Sequence, residues 1–233
     1  MIPVALHDGK LYFLFGQEND VIRDASKNQD WGDFGGSAKP GESEMDTCVR
    51  EGAEELNGFF GNKRDFRALL LKNQVLKLTY DTRVTHLMRA DYDERLPFYF
   101  NNNYRFIKET SNLRAIAAHP ENGYFEKSHV RWFTLEDLKR ERSAFREYFR
   151  NFLDMIQYRA PEIRRLVDQR NKSHRNKSQR NKSNRNKSQR NKSNRNKSNR
   201  NKSQRNKSNR NKSNRNKSHR NKSNRNKSRK SRH

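Results

Sequence analysis

Two apolar runs, residues 2–6 and 11–15, flank Asp8-Gly9 and predict a β-hairpin closed by a tight turn. Residues 17–30 are polar and read as a loop, after which Trp31 leads into Gly35-Gly36. Pro40-Gly41 marks a turn just before a helical pattern over 43–57, where Met45, Cys48, Val49, Gly52, Ala53 and Leu56 share one side. Residues 66–71 and 75–80 follow as apolar-rich runs, the second alternating as V-L-K-L-T-Y, and 83–90 reads as a third strand of the sheet. The stretch 97–107 is dense in aromatics around Asn101-Asn102-Asn103, a pattern open to strand, helix or loop. Thr134 with Asp137 has the form of a helix N-cap with an acid at its third position. Phe145, Tyr148, Phe149, Phe152, Leu153 and Ile156 recur at three and four residues. They predict a long amphipathic helix ending near Ala160-Pro161, with 161–168 at most one further short turn.

The pattern stops at Arg170. From there to Ser228 the unit R-N-K-S recurs twelve times, separated by Asn, Gln or His, and the chain closes on Arg229 to His233. The repeats and the closing residues carry 27 positive charges, against a net charge of +26 for the whole chain, so residues 1–169 are nearly neutral. Basicity therefore belongs to the tail, 170–233, which has no apolar residue to bury and is expected to be disordered. Such a segment binds polyanions by counterion release, with little sequence preference. It holds no aromatic residue, so base stacking is not its mode. Low-complexity expansion without a selected role is the plainer reading of the same repeats. The remaining residues suffice for one domain with a sizeable core. A single cysteine, Cys48, excludes an internal disulfide framework and fits a reducing compartment. The first residues lack the basic region of a signal peptide, and no apolar run reaches membrane-spanning length. A soluble, intracellular, non-secreted protein is expected, cytoplasmic unless the tail acts as a nuclear-targeting signal.

Candidate chemistry lies on the 43–57 helix. At 100° per residue, Glu54 and Glu55 fall about 60° to one side and about 40° to the other side of Glu51. Like charges crowded this way repel unless something neutralises them, and a hard divalent cation with oxygen ligands does so. Taken alone, a solvated acidic helix face explains the same spacing.

The order Gly36, Glu42, Arg50-Glu51, Glu54-Glu55 resembles the signature of the Nudix hydrolases, G-x5-E-x7-R-E-U-x-E-E-x-G-U, where U is bulky and apolar. Two positions depart from it. Gly52 stands where a bulky aliphatic belongs, which costs the helix about 1 kcal/mol relative to Ala and thins its packing. The closing glycine comes one residue late, in Asn57-Gly58, which places Asn57 or Gly58 at the left-handed end of the helix. The resemblance implies a Nudix-type α/β/α sandwich, a mixed sheet flanked by helices. It would occupy residues 1–160, with 161–169 as a connecting segment before the tail.

Also by resemblance, residues 124–133 are the late strand, with Glu126 before Trp132-Phe133. Glu51, Glu54 and Glu55 are the implied ligands of Mg²⁺ or Mn²⁺, with the Gly36 carbonyl as a further one. Glu51 or Glu55 would help activate water, with Glu126 as an alternative base. Arg50 would orient a glutamate of the helix, and Glu42 would support Arg50 or the helix start. The plain readings are a favourable acid near a helix N-terminus for Glu42 and a surface carboxylate for Glu126. His86 and His129 read as strand histidines and Cys48 as packing.

The implied reaction is hydrolysis of a nucleoside diphosphate linked to another group. Together with the basic tail, it suggests the 5′ cap of mRNA, as for decapping Nudix enzymes, among them those of large DNA viruses. A small substrate is the alternative: ADP-ribose, a dinucleoside polyphosphate, an oxidised nucleotide or a diphosphoinositol phosphate. From another class comes a non-catalytic RNA-binding protein on the same scaffold. Aromatics at 98–106, Trp31 and Trp132 are candidates for stacking on a base, each with a core role as the plain reading. Oligomeric state is not encoded in these patterns.

Overall fold

A computed structural model describes residues 1–19, 30–118 and 123–169. Strand β1 (Ile2–His7) turns through Asp8 and Gly9 into β2 (Lys10–Glu18). Both turn residues have positive φ, 45° and 73°, the backbone a two-residue hairpin with right-twisted strands needs. The predicted hairpin is therefore present, with both strands longer than expected.

After β3 (Trp31–Gly32) come α1 (Glu44–Glu55), α2 (Lys63–Asn73), β4 (Gln74–Tyr80) and β5 (Arg83–Arg89). The second half comprises α3 (Arg95–Glu109), a short α4 (Arg114–Ala118), β6 (Lys127–Thr134), α5 (Leu135–Arg140) and α6 (Arg150–Tyr158). A further helix, α7, spans 160–169.

The six strands form one mixed sheet. β1 pairs antiparallel with β2 and parallel with β5, β5 pairs antiparallel with β4, and β2 also carries β3 and β6. Alternate residues of each central strand point to opposite faces, and both faces are covered. Ile2, Val4, Phe13, Phe15 and Phe133 meet Leu138, Phe149, Phe152, Ile156, Ile163 and Val167 on one side. Ala5, Leu14, Val130 and Trp132 meet Val49, Ala53, Phe66, Leu70 and Phe100 on the other. Helices thus sandwich the sheet, as expected of an α/β fold.

Four local expectations are corrected. The run 66–71 is helical, lying within α2, because Asn62 caps the helix by accepting from Arg64 N and Asp65 N. Only Phe66, Leu70 and Asn73 of it are buried, a helical rather than a strand spacing. The amphipathic pattern from Phe145 is not one helix. Phe145 bridges Trp31, residues 147–149 form a 3₁₀ turn, and regular helix begins only at Arg150. The segment 161–169 is no mere connection: it is helical and buries Ile163 and Val167 in the core. Of the polar stretch 17–30, Gln17 and Glu18 belong to β2, and 20–29 lies outside the described residues. The expected disorder of 170–233 lies outside them too. Among the described residues, no helix is long and apolar enough to cross a membrane.

Candidate active site

Helix α1 starts where the sequence asks it to. Ser43 caps it in a reciprocal box with Asp46, and Thr47 Oγ1 donates to Glu42. At the other end Leu56 is the cap residue, and both Asn57 and Gly58 take left-handed backbone, φ 49° and 72°. The late glycine thus leaves Asn57 in a turn position where its side chain acts at long range. Asn57 Oδ1 accepts from Phe125 N at 2.8 Å, which fixes the backbone just before Glu126. Asn19 secures the same strand entry, its backbone N donating to Glu126 O and its Nδ2 to Phe125 O.

Gly52, the second departure, is explained by α2. A Cβ on Gly52 would lie 2.7 Å from the Phe66 ring, and Phe66 is fully buried. The expected thinning of the packing is corrected: an aromatic from the next helix fills the space. Cys48 and Trp132 are buried among the same cluster, and Trp132 Nε1 donates to Asp93 O, so neither offers a free surface.

The face of α1 opposite that core borders a cleft of about 1110 Å³, lined among others by Gly36, Arg50, Glu51, Glu54, Glu55 and Glu126. All the carboxylates predicted from spacing meet there except Glu42, which stands behind Arg50. Arg50 is the hub. Its Nε and Nη2 donate to Glu42 at 2.7 and 2.9 Å, its Nη1 donates to Glu51 at 2.6 Å and lies 3.5 Å from Glu54. Those bonds, with a backbone donor from Lys39, pull the Glu42 carboxyl down to about 2. They also hold the Arg50 guanidinium charged well beyond its usual range.

Gly36 sits against Glu51 so closely that a Cβ there would be 2.4 Å from its Oε1. Only glycine leaves that carboxylate its place. Gly123 does the same for Glu54, where a Cβ would come within 2.7 Å of the carboxyl carbon. Glu54 is also held by Lys63 Nζ at 2.6 Å, from a lysine more than half exposed.

Glu55 faces a different environment. It is buried, accepts from Gly35 N at 2.8 Å and lies 3.1 Å from Lys127 Nζ. Lys127 also donates to Glu18, which in turn meets Arg146 at 2.5 Å. Burial raises the Glu55 carboxyl to about 8, with Lys127 opposing and Glu18 adding to the shift. Glu126, half-buried, is likewise raised, first by burial and then by the charge of Glu51. Lys127 itself is held charged: the charges of Glu55 and Glu18 outweigh the burial that would strip its proton.

Glu18, Lys127 and Arg146 were not among the residues singled out from sequence. Their partners lie up to 128 positions away, so no local spacing announces them. His86 is buried with its Nε2 2.7 Å from Glu44 Oε1, its imidazole pushed toward the neutral form chiefly by burial. His129 hydrogen-bonds Ser128 on the outer part of β6. Trp31 is packed edge-on against Phe133, a core contact.

Oxygen donors of the type a hard cation takes thus line one wall. Glu126 and Glu55 are already pushed toward protonation by burial and by neighbouring carboxylates. A dication between them would relieve that crowding. Among the described residues, however, no three His, Cys, Asp or Glu side chains stand as a ready-made ligand group. Arg50, Lys63 and Lys127 are interleaved with the carboxylates, and of these Lys63 is exposed enough to swing away. The residues fit a hard cation by donor chemistry, with Lys63 as the group that must yield. No protein family, no curated protein and no solved structure matches the chain.

Proposed function

We propose that this chain is a Nudix-type hydrolase that splits a phosphoanhydride bond, and that its substrate is the 5′ cap of an RNA. The observation that carries the reading is the Arg50 hub: one guanidinium fastens Glu42 and Glu51 and reaches Glu54, with Gly36 shaped to admit Glu51. A solvated acidic face would need none of these arrangements.

Glu51, Glu54 and Glu55 are the side chains that would hold Mg²⁺ or Mn²⁺, with the Gly36 carbonyl adjoining. Bound there, the metal supplies charge neutralisation for the phosphate oxygens and a more acidic water. The chain's own residues do the rest. Arg50 keeps Glu51 still; Asn57 and Asn19 keep Glu126 at the mouth of β6; Lys127 and Glu18 fix Glu55 against Gly35 N. Glu126, half-buried and with its carboxyl raised by burial and by Glu51, is placed to take a proton from water. The RNA part of the reading rests on the basic repeats, which favour a long polyanion over a small nucleotide.

Full-length protein with Mg²⁺ or Mn²⁺ and cap-labelled RNA should release labelled 7-methylguanosine diphosphate. Glu54→Gln with Glu55→Gln should lose that release by orders of magnitude and keep RNA binding. Cleavage of ADP-ribose, dinucleoside polyphosphates or diphosphoinositol phosphates in place of cap would move the substrate and keep the reaction. No cleavage of any of them, with no Mn²⁺ uptake by electron paramagnetic resonance, would leave an RNA-binding protein.

A further inference from the structure

Helix α3 carries two kinds of aromatic residue. Phe100 and Tyr104 are buried, Phe100 in the core beside β6 and Tyr104 with its hydroxyl donating to Asn19. Asn101 adds two hydrogen bonds to the backbone of Val130 in β6. These contacts pin one side of the helix to the sheet and settle which side faces out. On that outer side Phe98, Tyr99 and Phe106 are 64, 57 and 62% exposed. Phe98 and Tyr99 meet edge to face at 5.4 Å. Phe106 lies two turns on, about 11 Å along the axis and close to the same azimuth as Tyr99. Arg95, which pairs with Asp93 just before the helix, and Arg105 are exposed, and within the helix three cations stand against one carboxylate.

We propose that the outer face of α3 is a stacking platform for the unpaired bases of a single-stranded nucleic acid. Exposed rings interleaved with arginine suit two occupants, a protein surface or a nucleobase strand. The chain's own charge decides between them. Its tail brings 27 positive charges and no ring, so it attracts any polyanion and grips no base. The α3 face supplies what the tail lacks, since every base presents a π-face and stacking on it is tolerant of sequence. The inference shares with the proposed function only the nucleic-acid character of the ligand, and it survives if no bond is hydrolysed.

The test uses full-length protein in EDTA, titrated against a labelled oligoriboadenylate and against an abasic oligonucleotide of the same length. Changing Phe98, Tyr99 and Phe106 together to Ala should weaken the base-bearing strand by about tenfold or more. Affinity for the abasic strand, and the salt dependence of both, should stay as in the wild type. A second variant with all three changed to Leu keeps apolar area and removes the π-faces; it should lose affinity in the same way. Equal loss on both strands, no loss on either, or retention by the leucine variant would overturn the platform. A wild-type dimer that the alanine variant dissociates, with strand affinity unchanged, would assign the face to a second copy of the chain instead.

Discussion

Arg50 grips Glu42 with two hydrogen bonds from one edge of its guanidinium and turns the remaining nitrogen to Glu51. A planar fork with fixed donors makes both contacts at once; a lysine ammonium makes one or the other. Arg50→Lys should therefore keep the fold and lower the proposed cap hydrolysis by about 10–100-fold, the usual cost of disturbing a residue that orients a ligand of such a metal site. Steady-state kinetics beside a circular dichroism spectrum will separate that loss from unfolding.

Glu42 makes the same pair a source of pH-dependent stability. Its carboxyl is ordinary in the unfolded chain and falls to about 2 in the folded one, so its contribution is present above about 4.5. It is lost as pH falls toward 2. Glu42→Gln removes the charge and keeps the shape. Thermal melts of both proteins should differ at pH 6, with the wild type more stable, and converge as the pH approaches 2. A gap that stays constant would mean that the bond, not the charge, carries the stability.

Gly52 and Phe66 form a matched pair of a missing side chain and a large one. Gly52→Leu forces the leucine into the Phe66 ring and should destabilise by about 1–3 kcal/mol in urea denaturation. Combining it with Phe66→Ala opens the space the leucine needs. The double variant should be more stable than the sum of the two single losses, the sign of direct coupling.

Lys127 is the countercharge for a buried pair of glutamates. Lys127→Met leaves Glu18 and Glu55 without their shared ammonium, at a cost of about 3–5 kcal/mol. Adding Glu55→Gln should recover part of that stability in the same denaturation assay, because it removes a carboxylate whose ionisation burial already opposes.

Helix α1 was legible because everything that builds it is local: a capping serine, carboxylates three and four apart, and a turn residue at its end. The hairpin was legible for the same reason. What escaped was decided partly by a local cap and partly by distant partners. Residues 66–71 are apolar at almost every position, so no period separates helix from strand, and the deciding signal was the capping oxygen of Asn62. Phe145 fits a helical spacing yet is drawn into a bridge with Trp31, and Ile163 and Val167 look too few to hold a helix until the core that receives them is known. At the site, the three helix carboxylates follow from spacing and Gly36 and Arg50 from the resemblance, whereas Lys127 and Arg146 follow from neither. A strand lysine becomes a buried ammonium only when the fold brings two acids to it.

The pairing of Glu18 with Lys127 closes over 109 residues of chain. During synthesis Glu18 and Glu55 emerge long before that ammonium does, so the nascent protein must carry both carboxylates in water until β6 arrives. A fragment that stops short of β6 would keep Gly36, Arg50, Glu51 and Glu54 and lack Glu126 and Arg146, which line the same cleft. A ribosome that stalls in α3 would leave a product with the α1 wall of the cleft and without the side that Glu126 and Arg146 supply.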